Sequence, residues 1–593
     1  MPRRVAHLQV CPYTCALAES ARPAPGYALL HPYPPLAPCA IVPRIPAIAL
    51  ILLGLLAALP ARADPPPPAL EASRPLQTQP LVHLEWRGQV RARGEVLGGV
   101  RNNADNAELP THLDVRHGNA DPNAATLADR VQGTDLRLRL EPSLHVGDWS
   151  QLNTQLDAWG MAGGRATLAS FADRYGQADW STGSLQSGLA MRRMWLHSKV
   201  FGLVDLDVGR MPDHFGMGVV RNSGDDLLGD WQTSIDSVKL GMELLGFRFS
   251  IARSNLFTWP SGQGANAATL YNSYAGGSSN GAWLMSSGQS GLPFQDSADV
   301  IRYDLGVAGG KLHGEPGLEW ALALLWLSQD QAFSVESLQN PGTTTPAPAK
   351  GLANPACGNE CILLTQRTLR TYTFQAYTTW RGTWRSAPLV LQAEGDAIYG
   401  TIGRSDITAD PDAKTIVSGG AAGRATWQPG ELDLKLDLGA ASGESNGGFG
   451  VNDTNNFKLG GTPDGADRTA MHGFRFNRAF RIDGLLFRDV IGAVANAGYL
   501  RPALAWHPWG RGTGDLALEA AVLGAVALSP DATPGKHAWI GLEPELSAHL
   551  HLDHGLELFG RGTLLMPGAA LANTAGVAAE PAWRADAVAR WRF

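Results

Sequence analysis

The chain ends on the stretch WRADAVARWRF, residues 583–593. Its odd positions are apolar or aromatic from Trp583 to Phe593, and most of its even positions are charged. This period of two predicts an extended strand with one apolar face and one charged face. A half-buried strand of a soluble protein averages about five or six residues, whereas a membrane-spanning strand needs about nine to eleven. The length, the terminal aromatic residue and the recurrence of the pattern upstream favour a strand of a membrane barrel.

The same alternation recurs along most of the chain, for example at 135–146, 432–438 and 540–552. The connections between such segments alternate between short turns and long stretches rich in Gly, Asn, Ser and Asp. We therefore predict an all-β fold, a transmembrane antiparallel up-and-down β-barrel of about 18 strands with long extracellular loops. The predicted strands are 82–96, 134–146, 150–159, 188–200, 203–211, 234–243, 247–255, 299–308, 317–327, 369–380, 388–399, 415–427, 431–441, 493–506, 515–524, 538–552, 555–565 and 582–593.

The N-terminal part carries export signals. A short apolar run, IPAIALILLGLLAAL at 45–59, follows Arg44 and precedes the small-residue site Ala61-Arg62-Ala63. This order predicts a signal peptide at 44–63, and a single anchor helix is the alternative. We expect a non-native or unstructured extension at 1–43, a Pro-rich periplasmic linker at 64–80, and the barrel at 81–593, which places the protein in the outer membrane of a Gram-negative cell.

The composition of the chain gives no sign of nucleic-acid binding, and the spacing of two cysteines predicts a disulfide. Charged residues make up 17% of the chain, the formal net charge is -7, and no basic run indicates nucleic acid. Cys357 and Cys361 lie four apart, which in an exported protein predicts a small loop disulfide rather than a zinc site.

Charged residues on the polar faces of the strands are candidate pore-lining groups. An eighteen-strand barrel is wide enough for an aqueous channel, and closure brings the last strand beside the first. A basic wall facing an acidic region would create a transverse field, and mutual neutralisation in a plugged interior is the alternative. The basic candidates are Arg87, Arg91, Arg93, Arg137, Arg139 and Arg590, and the acidic candidates are Asp433, Asp437, Glu543 and Glu545.

The run VGRMPDHFGMG at 208–218 closes one strand and opens a loop, and Asn222 to Asp225 and Asp236 follow it. This pattern resembles the strand end of Gram-negative porins, where a loop folds inward, and is closest to an uncharacterised porin-like outer-membrane family. The run FRFNRAFR at 474–481 resembles a porin loop that enters a descending strand. The resemblance implies a barrel with a constriction loop at 212–233. The candidate loop residues are Arg210, Asp213, His214, Asp225 and Asp226.

Other chemical patterns are weak. His549 and His551 share one face of a predicted strand, but two ligands are too few for a metal prediction. The aspartates near 213–230 lack the spacing of a calcium loop, and no G-x-S-x-G elbow is present. We therefore expect no enzyme activity, no metal and no cofactor.

The leading hypothesis is passive diffusion of small hydrophilic or charged solutes through the barrel. The alternative is a barrel-anchored surface protein with a plugged lumen, and a hydrolase with a loop dyad comes third. The partners expected are outer-membrane lipid and small solutes, and a homotrimer, common among porins by resemblance, is as consistent with the chain as a monomer. The sequence does not indicate which solute passes.

Overall fold

A computed structural model describes the barrel and two of the segments within it. The described residues are 81–102, 113–115, 130–160, 189–229, 234–255, 300–310, 315–329, 369–402, 414–443, 470–512, 514–573 and 576–593. The predicted extension, signal peptide and linker, together with Cys357 and Cys361, lie outside these residues.

Within the described ranges, eighteen strands form one closed ring. Each strand pairs antiparallel with its neighbour in the ring, and the last pairs with the first over Gln89↔Arg592 to Gly98↔Trp583. The strands β1 to β18, in chain order, are Gly88–Gly98, Arg130–Leu140, Ser150–Gly160, Leu189–Val200, Val204–Pro212, Ser234–Leu244, Phe247–Asn255, Val300–Gly310, Gly317–Gln329, Leu369–Trp384, Ala387–Ile402, Lys414–Trp427, Leu432–Ala441, Ala497–Trp506, Leu516–Ala527, Trp539–His551, Leu556–Pro567 and Ala582–Arg592. The predicted antiparallel barrel is confirmed.

Shorter elements complete the described chain. Four short helices lie at Leu486–Val490, Pro530–Ala532, Asp553–Gly555 and Ala569–Leu571. Short strands pair Val82–Glu85 with Ser143–Val146 and Val100–Asn102 with Leu113–Val115, while Ala470–Met471 pairs parallel with β12. None of the helices that the structure describes is long and apolar enough to cross a membrane.

Three predicted strands differ from the strands that the structure describes. The predicted strand 82–96 divides into Val82–Glu85 and β1. The predicted strand 134–146 divides into β2 and Ser143–Val146, and the break falls at Pro142. Proline has no N–H to donate to a ladder, and here its carbonyl accepts from Thr154 N at 3.1 Å. The predicted strand 493–506 begins only at Ala497, because residues 493–496 are buried inside the barrel.

The two faces of the ring differ as the period of two predicts. In β18, Arg584, Asp586 and Arg590 are buried, whereas Trp583 and Trp591 are 40% and 49% exposed. The exposed side carries many large apolar side chains, such as Leu322, Phe374 and Leu504. Soluble monomers rarely expose so large an apolar surface to water, so this outer face is suited to contact with lipid.

The connections alternate in length around the ring. Tight turns join β6 to β7 and β10 to β11, and Leu245 and Gly246 both have positive φ, of 55° and 78°. This backbone matches the twist of the hairpin. The short turns and the paired ends of β1 and β18 share one end of the barrel, which we call the short-turn end, and the long connections lie at the other.

Candidate functional site: the lumen and its two inserts

Two long connections fold into the lumen. The first insert, residues 213–229, follows β5, and the second insert, residues 472–496, follows β13. Both contact inward-facing side chains of strands that lie far from them in sequence. The predicted inward loop at 212–233 corresponds to the first insert, and the structure adds the second.

A single carboxylate on the wall holds the first insert. Glu394 on β11 accepts hydrogen bonds from the main-chain N–H groups of Met217, Gly218 and Val219, the last two at 2.9 and 3.2 Å. A Cβ on Gly216 would lie 2.6 Å from Glu394 Oε2, so the close approach of the loop requires glycine there. The Gly-x-Gly run of the sequence therefore positions the backbone against this carboxylate.

Paired charges anchor the base of the same insert. Arg302 on β8 donates to both oxygens of Asp213, at 2.7 and 3.2 Å, and Arg221 approaches the same carboxylate at 3.4 Å. Burial alone would raise the pKa of Asp213, but the Arg302 and Arg221 charges hold that pKa below its ordinary value. The carboxylate stays charged and ties the insert to the wall.

The second insert carries an apolar core into the barrel. Phe474, Phe476, Leu485, Leu486 and Ile491 are each at most 2% exposed. The rings of Phe474 and Phe476 meet edge to face, with centroids 5.9 Å apart. This cluster closes part of the lumen to water.

Another wall carboxylate holds the second insert by the same device. Glu543 on β16 accepts from the main-chain N–H groups of Gly484, Leu485 and Leu486, at 2.8, 3.1 and 2.7 Å. Three N–H donors satisfy a buried carboxylate that has little access to water. Nearby, burial raises the pKa of Asp483 to about 6, against a bond donated by Phe487 N.

Arg584 on β18 joins the second insert to the place where the barrel closes. Its guanidinium contacts Asp489 of the insert, Glu95 on β1 at 2.6 Å and Asp586 at 2.6 Å. Arg488 of the insert also donates to Glu95, at 2.9 Å. All five side chains are buried, so each charge depends on its partners.

The two inserts contact each other across the lumen. Asn477 N donates to the Val219 carbonyl at 2.6 Å, and Asn477 Nδ2 donates to the Val220 carbonyl at 3.0 Å. These bonds join two connections that are more than two hundred residues apart in sequence. The inserts therefore form one internal partition.

A polar cavity of about 520 Å³ lies beside this partition at the short-turn end. Its wall runs from the ends of β1 and β18 to Asp225 of the first insert. Charged side chains lining it are Arg87, Arg139, Arg193, Arg590, Arg592, Glu141 and Asp225. Positive side chains outnumber negative ones there by three.

The predicted basic residues lie together, since β1 pairs with both β2 and β18. Arg91 and Arg137 donate to the Gly229 carbonyl of the first insert at 3.2 and 3.1 Å. Arg139 binds Asp157 through two hydrogen bonds, of 2.7 and 2.9 Å. The other three predicted arginines contact carboxylates: Arg87 with Glu85, Arg93 with Glu95, and Arg590 with Glu557.

The four predicted acidic residues all have local partners. Arg501 contacts both Asp437 and Glu545, at 3.5 and 3.0 Å, and Glu543 is used by the second insert. The remaining acid, Asp433, contacts Arg511 at 2.6 Å and His507 at 3.2 Å. Buried carboxylates need partners, so these groups are paired locally rather than presented to the lumen as a negative surface.

Four of the five predicted loop residues lie in the first insert, and Arg210 does not. Arg210 is inside β5 and has the same strand parity as the exposed Val208. Arg210 donates two hydrogen bonds of 2.8 Å to Asp236, its cross-strand partner on β6. Both side chains lie on the outer face of the barrel. His214 and Asp226 are exposed, while Asp225 contacts Arg193 at 3.0 Å.

Sequence reasoning did not single out Arg302, Asp483 or Asp489. Their charge and strand parity were visible, but their partners lie on the inserts or across the closure of the ring.

Replacing Arg584 with Met should lower the free energy of unfolding by about 3–5 kcal/mol, because Glu95, Asp489 and Asp586 would remain buried without this cation. The measurement is the temperature at which the folded barrel converts to the slower-migrating unfolded form in detergent gels. Arg381→Met is the matched control, since Arg381 contacts Glu319 at 2.9 Å in a partly exposed pair worth less than about 1 kcal/mol. Equal losses in the two variants would contradict the role assigned to Arg584.

The fold and the lumen define a class: this chain is a transmembrane antiparallel β-barrel with inserts in its interior. No protein-family model matches it, and no curated protein does. Among solved structures, it is similar to the outer membrane protein OpdK of Pseudomonas aeruginosa, with 9% identity, a TM-score of 0.42, and coverage of 86% of this chain and 99% of that chain. It is also similar to a BenF-like porin from Pseudomonas fluorescens Pf-5, with 7% identity, a TM-score of 0.43, and coverage of 86% and 98%. The fold assignment rests on the strand pairing itself.

Proposed function

We propose that this protein is an outer-membrane channel for passive diffusion of small hydrophilic solutes, with a preference for anions. The observation that carries the proposal is the polar cavity of about 520 Å³, which reaches from the short-turn end to the first insert and is lined by five arginines. In membrane barrels the short turns face the periplasm, so we assign this cavity to the periplasmic side.

The charge preference comes from the mouth of the cavity. Arg139, Arg193 and Arg590 are buried: Arg139 and Arg590 contact the wall carboxylates Asp157 and Glu557, and Arg193 contacts Asp225 of the first insert. Arg87 and Arg592 are instead 70% and 55% exposed. These two exposed cations would raise the local concentration of anions where solutes enter.

The second insert favours one alternative function. Its apolar cluster and its bonds to the first insert close part of the lumen. A barrel closed across its whole section would serve as an anchor for surface loops instead of a channel. Solute size in the channel proposal is correspondingly limited by the space that the inserts leave.

Conductance in planar bilayers separates these two functions. For the channel, purified protein should give stepwise currents, and a salt gradient should give a reversal potential that favours chloride over potassium. A barrel that inserts correctly, as shown by heat-modifiable mobility, yet stays electrically silent would favour the anchor.

A further inference from the structure

Three metal-binding side chains meet inside the barrel at the short-turn end. His549 and His551 lie on the inward face of β16, and Glu557 lies on the adjacent β17. One donor atom from each falls within 4.8 Å of the other two, the only such set of three among the described residues. The carboxylate comes 3.7 Å from His549 Nε2 and 4.0 Å from His551 Nδ1.

The strand geometry explains why these donors converge. Residues two apart on a strand point to the same face, which brings the two imidazole rings to a centroid distance of 3.9 Å. His551 is the direct cross-strand partner of Glu557. The turn at 552–555 is short, so the two strand ends are held in this register.

The donor set is that of a zinc site with an open position. Two imidazoles and one carboxylate bind Zn²⁺ at about 2.0–2.2 Å, which places neighbouring donors about 3.3 Å apart. The carboxylate lies 3.7 and 4.0 Å from the two imidazole nitrogens, slightly farther than this value. A small rotation of the side chains would bring the donors to the spacing that zinc requires. His549 Nε2 is buried and has no hydrogen-bond partner in the part of the chain that the structure describes.

A metal would reach the site from the lumen. The side chains of His549 and His551 are 30% and 44% exposed, on the same face as the buried Glu543 and Glu545. Glu557 also accepts a hydrogen bond from Arg590 and lies 3.6 Å from Arg592. A bound cation would therefore compete with these arginines for one carboxylate.

We infer that His549, His551 and Glu557 form a binding site for a divalent transition metal, with Zn²⁺ as its simplest occupant. Imidazole with carboxylate suits zinc, copper and nickel, whereas magnesium and calcium prefer oxygen donors alone.

The test is a titration of the full chain, refolded without a histidine tag, with zinc chloride alone. Calorimetry and competition with a chromogenic chelator should both show a bound Zn²⁺ that His549→Asn/His551→Asn removes or weakens by at least about 100-fold. Magnesium and calcium should not compete for it. The proposal is overturned if the double variant, still closed by heat-modifiable mobility, binds zinc as the wild type does.

A second histidine pair supplies the matched control. His83 and His145 stack face to face with centroids 4.4 Å apart, and Glu85 lies 3.3 Å from His145, but these residues do not bring three donors within the same reach. His83→Asn/His145→Asn should leave the zinc affinity unchanged. Loss of zinc binding in this variant would place the metal elsewhere and overturn the assignment.

A substitution of Arg590 tests whether Glu557 is a zinc ligand. Arg590→Met should tighten zinc binding, because it removes the cation that holds Glu557. An unchanged affinity would show that Glu557 is not a ligand. None of these binding measurements requires ion conduction, so their failure is distinguishable from failure of the proposed channel function.

Discussion

Deleting residues 474–494 and joining the ends with a short Gly-Ser linker should raise the single-channel conductance about threefold or more, since an empty eighteen-strand barrel leaves a wide aqueous channel. The deletion removes the apolar cluster that occupies part of the lumen. It also removes the bonds from Asn477 to the first insert, so the internal partition loses one of its two halves.

The wall is expected to survive this deletion. Glu543 and Arg584 lose their partners on the second insert, but water fills the vacated space and hydrates both charges. A carboxylate that was buried by the insert becomes a carboxylate in an aqueous pore. The strand ladder that closes β1 on β18 is untouched.

The matched control deletes the same number of residues, 265–285, from the long connection between β7 and β8. That stretch lies outside the described residues, and the partition contacts given above are all made by other parts of the chain. Its conductance should equal that of the wild type. If the 474–494 deletion folds, as judged by heat-modifiable mobility, and conducts no better than the control, the second insert does not limit the current.

Reversing the charge of Arg87 and Arg592 should move the ion preference toward cations. The chloride-to-potassium permeability ratio is expected to fall by about tenfold at low salt, because two exposed cations at the mouth of the cavity become anions. The effect should shrink toward 1 M salt, where the Debye length is about 3 Å. The measurement is the reversal potential of Arg87→Glu/Arg592→Glu across a salt gradient.

These two positions are better probes than the buried arginines of the same wall. Arg139 is 1% exposed and bonded to Asp157, so Arg139→Glu would set two carboxylates side by side. Arg137 is 2% exposed and donates to the first insert. A change at either position would alter structure together with charge.

Arg385→Glu is the control for the charge reversal. Arg385 lies in the tight turn between β10 and β11, at the same end of the barrel, and stacks over Trp384 outside the cavity lining. This variant should keep the wild-type reversal potential. A conducting Arg87→Glu/Arg592→Glu channel with an unchanged reversal potential would contradict an anion-selective mouth.

The proposed metal site has a third ligand that the sequence alone could not place. The spacing of His549 and His551 placed both on one strand face, but two ligands were too few for a prediction. Glu557 belongs to the next strand and acquires its position only through the register of β16 with β17. A shift of that register by one residue would turn the carboxylate to the lipid side.

The inserts show the same limit. The apolar residues of 474–494 have no period of two, so their pattern predicted neither a strand nor a plug. Their docking depends on Glu543, more than fifty residues away in sequence. The groups that bind it are main-chain N–H groups, which leave no mark in the side-chain pattern. The run at 474–481 resembled a porin loop that enters a strand, and this resemblance did not predict a plug.

By itself, the sequence determined the strands, the face that each residue takes and the closure of an even-numbered barrel, because the period of two is a local property of an extended chain. The tertiary structure decided which connections fold inward and which charges meet. Arg584 and Glu95 lie 489 residues apart and touch only because the last strand pairs with the first. Such contacts depend on the shape of the closed ring, and burial in its interior then requires each charge to find a partner there.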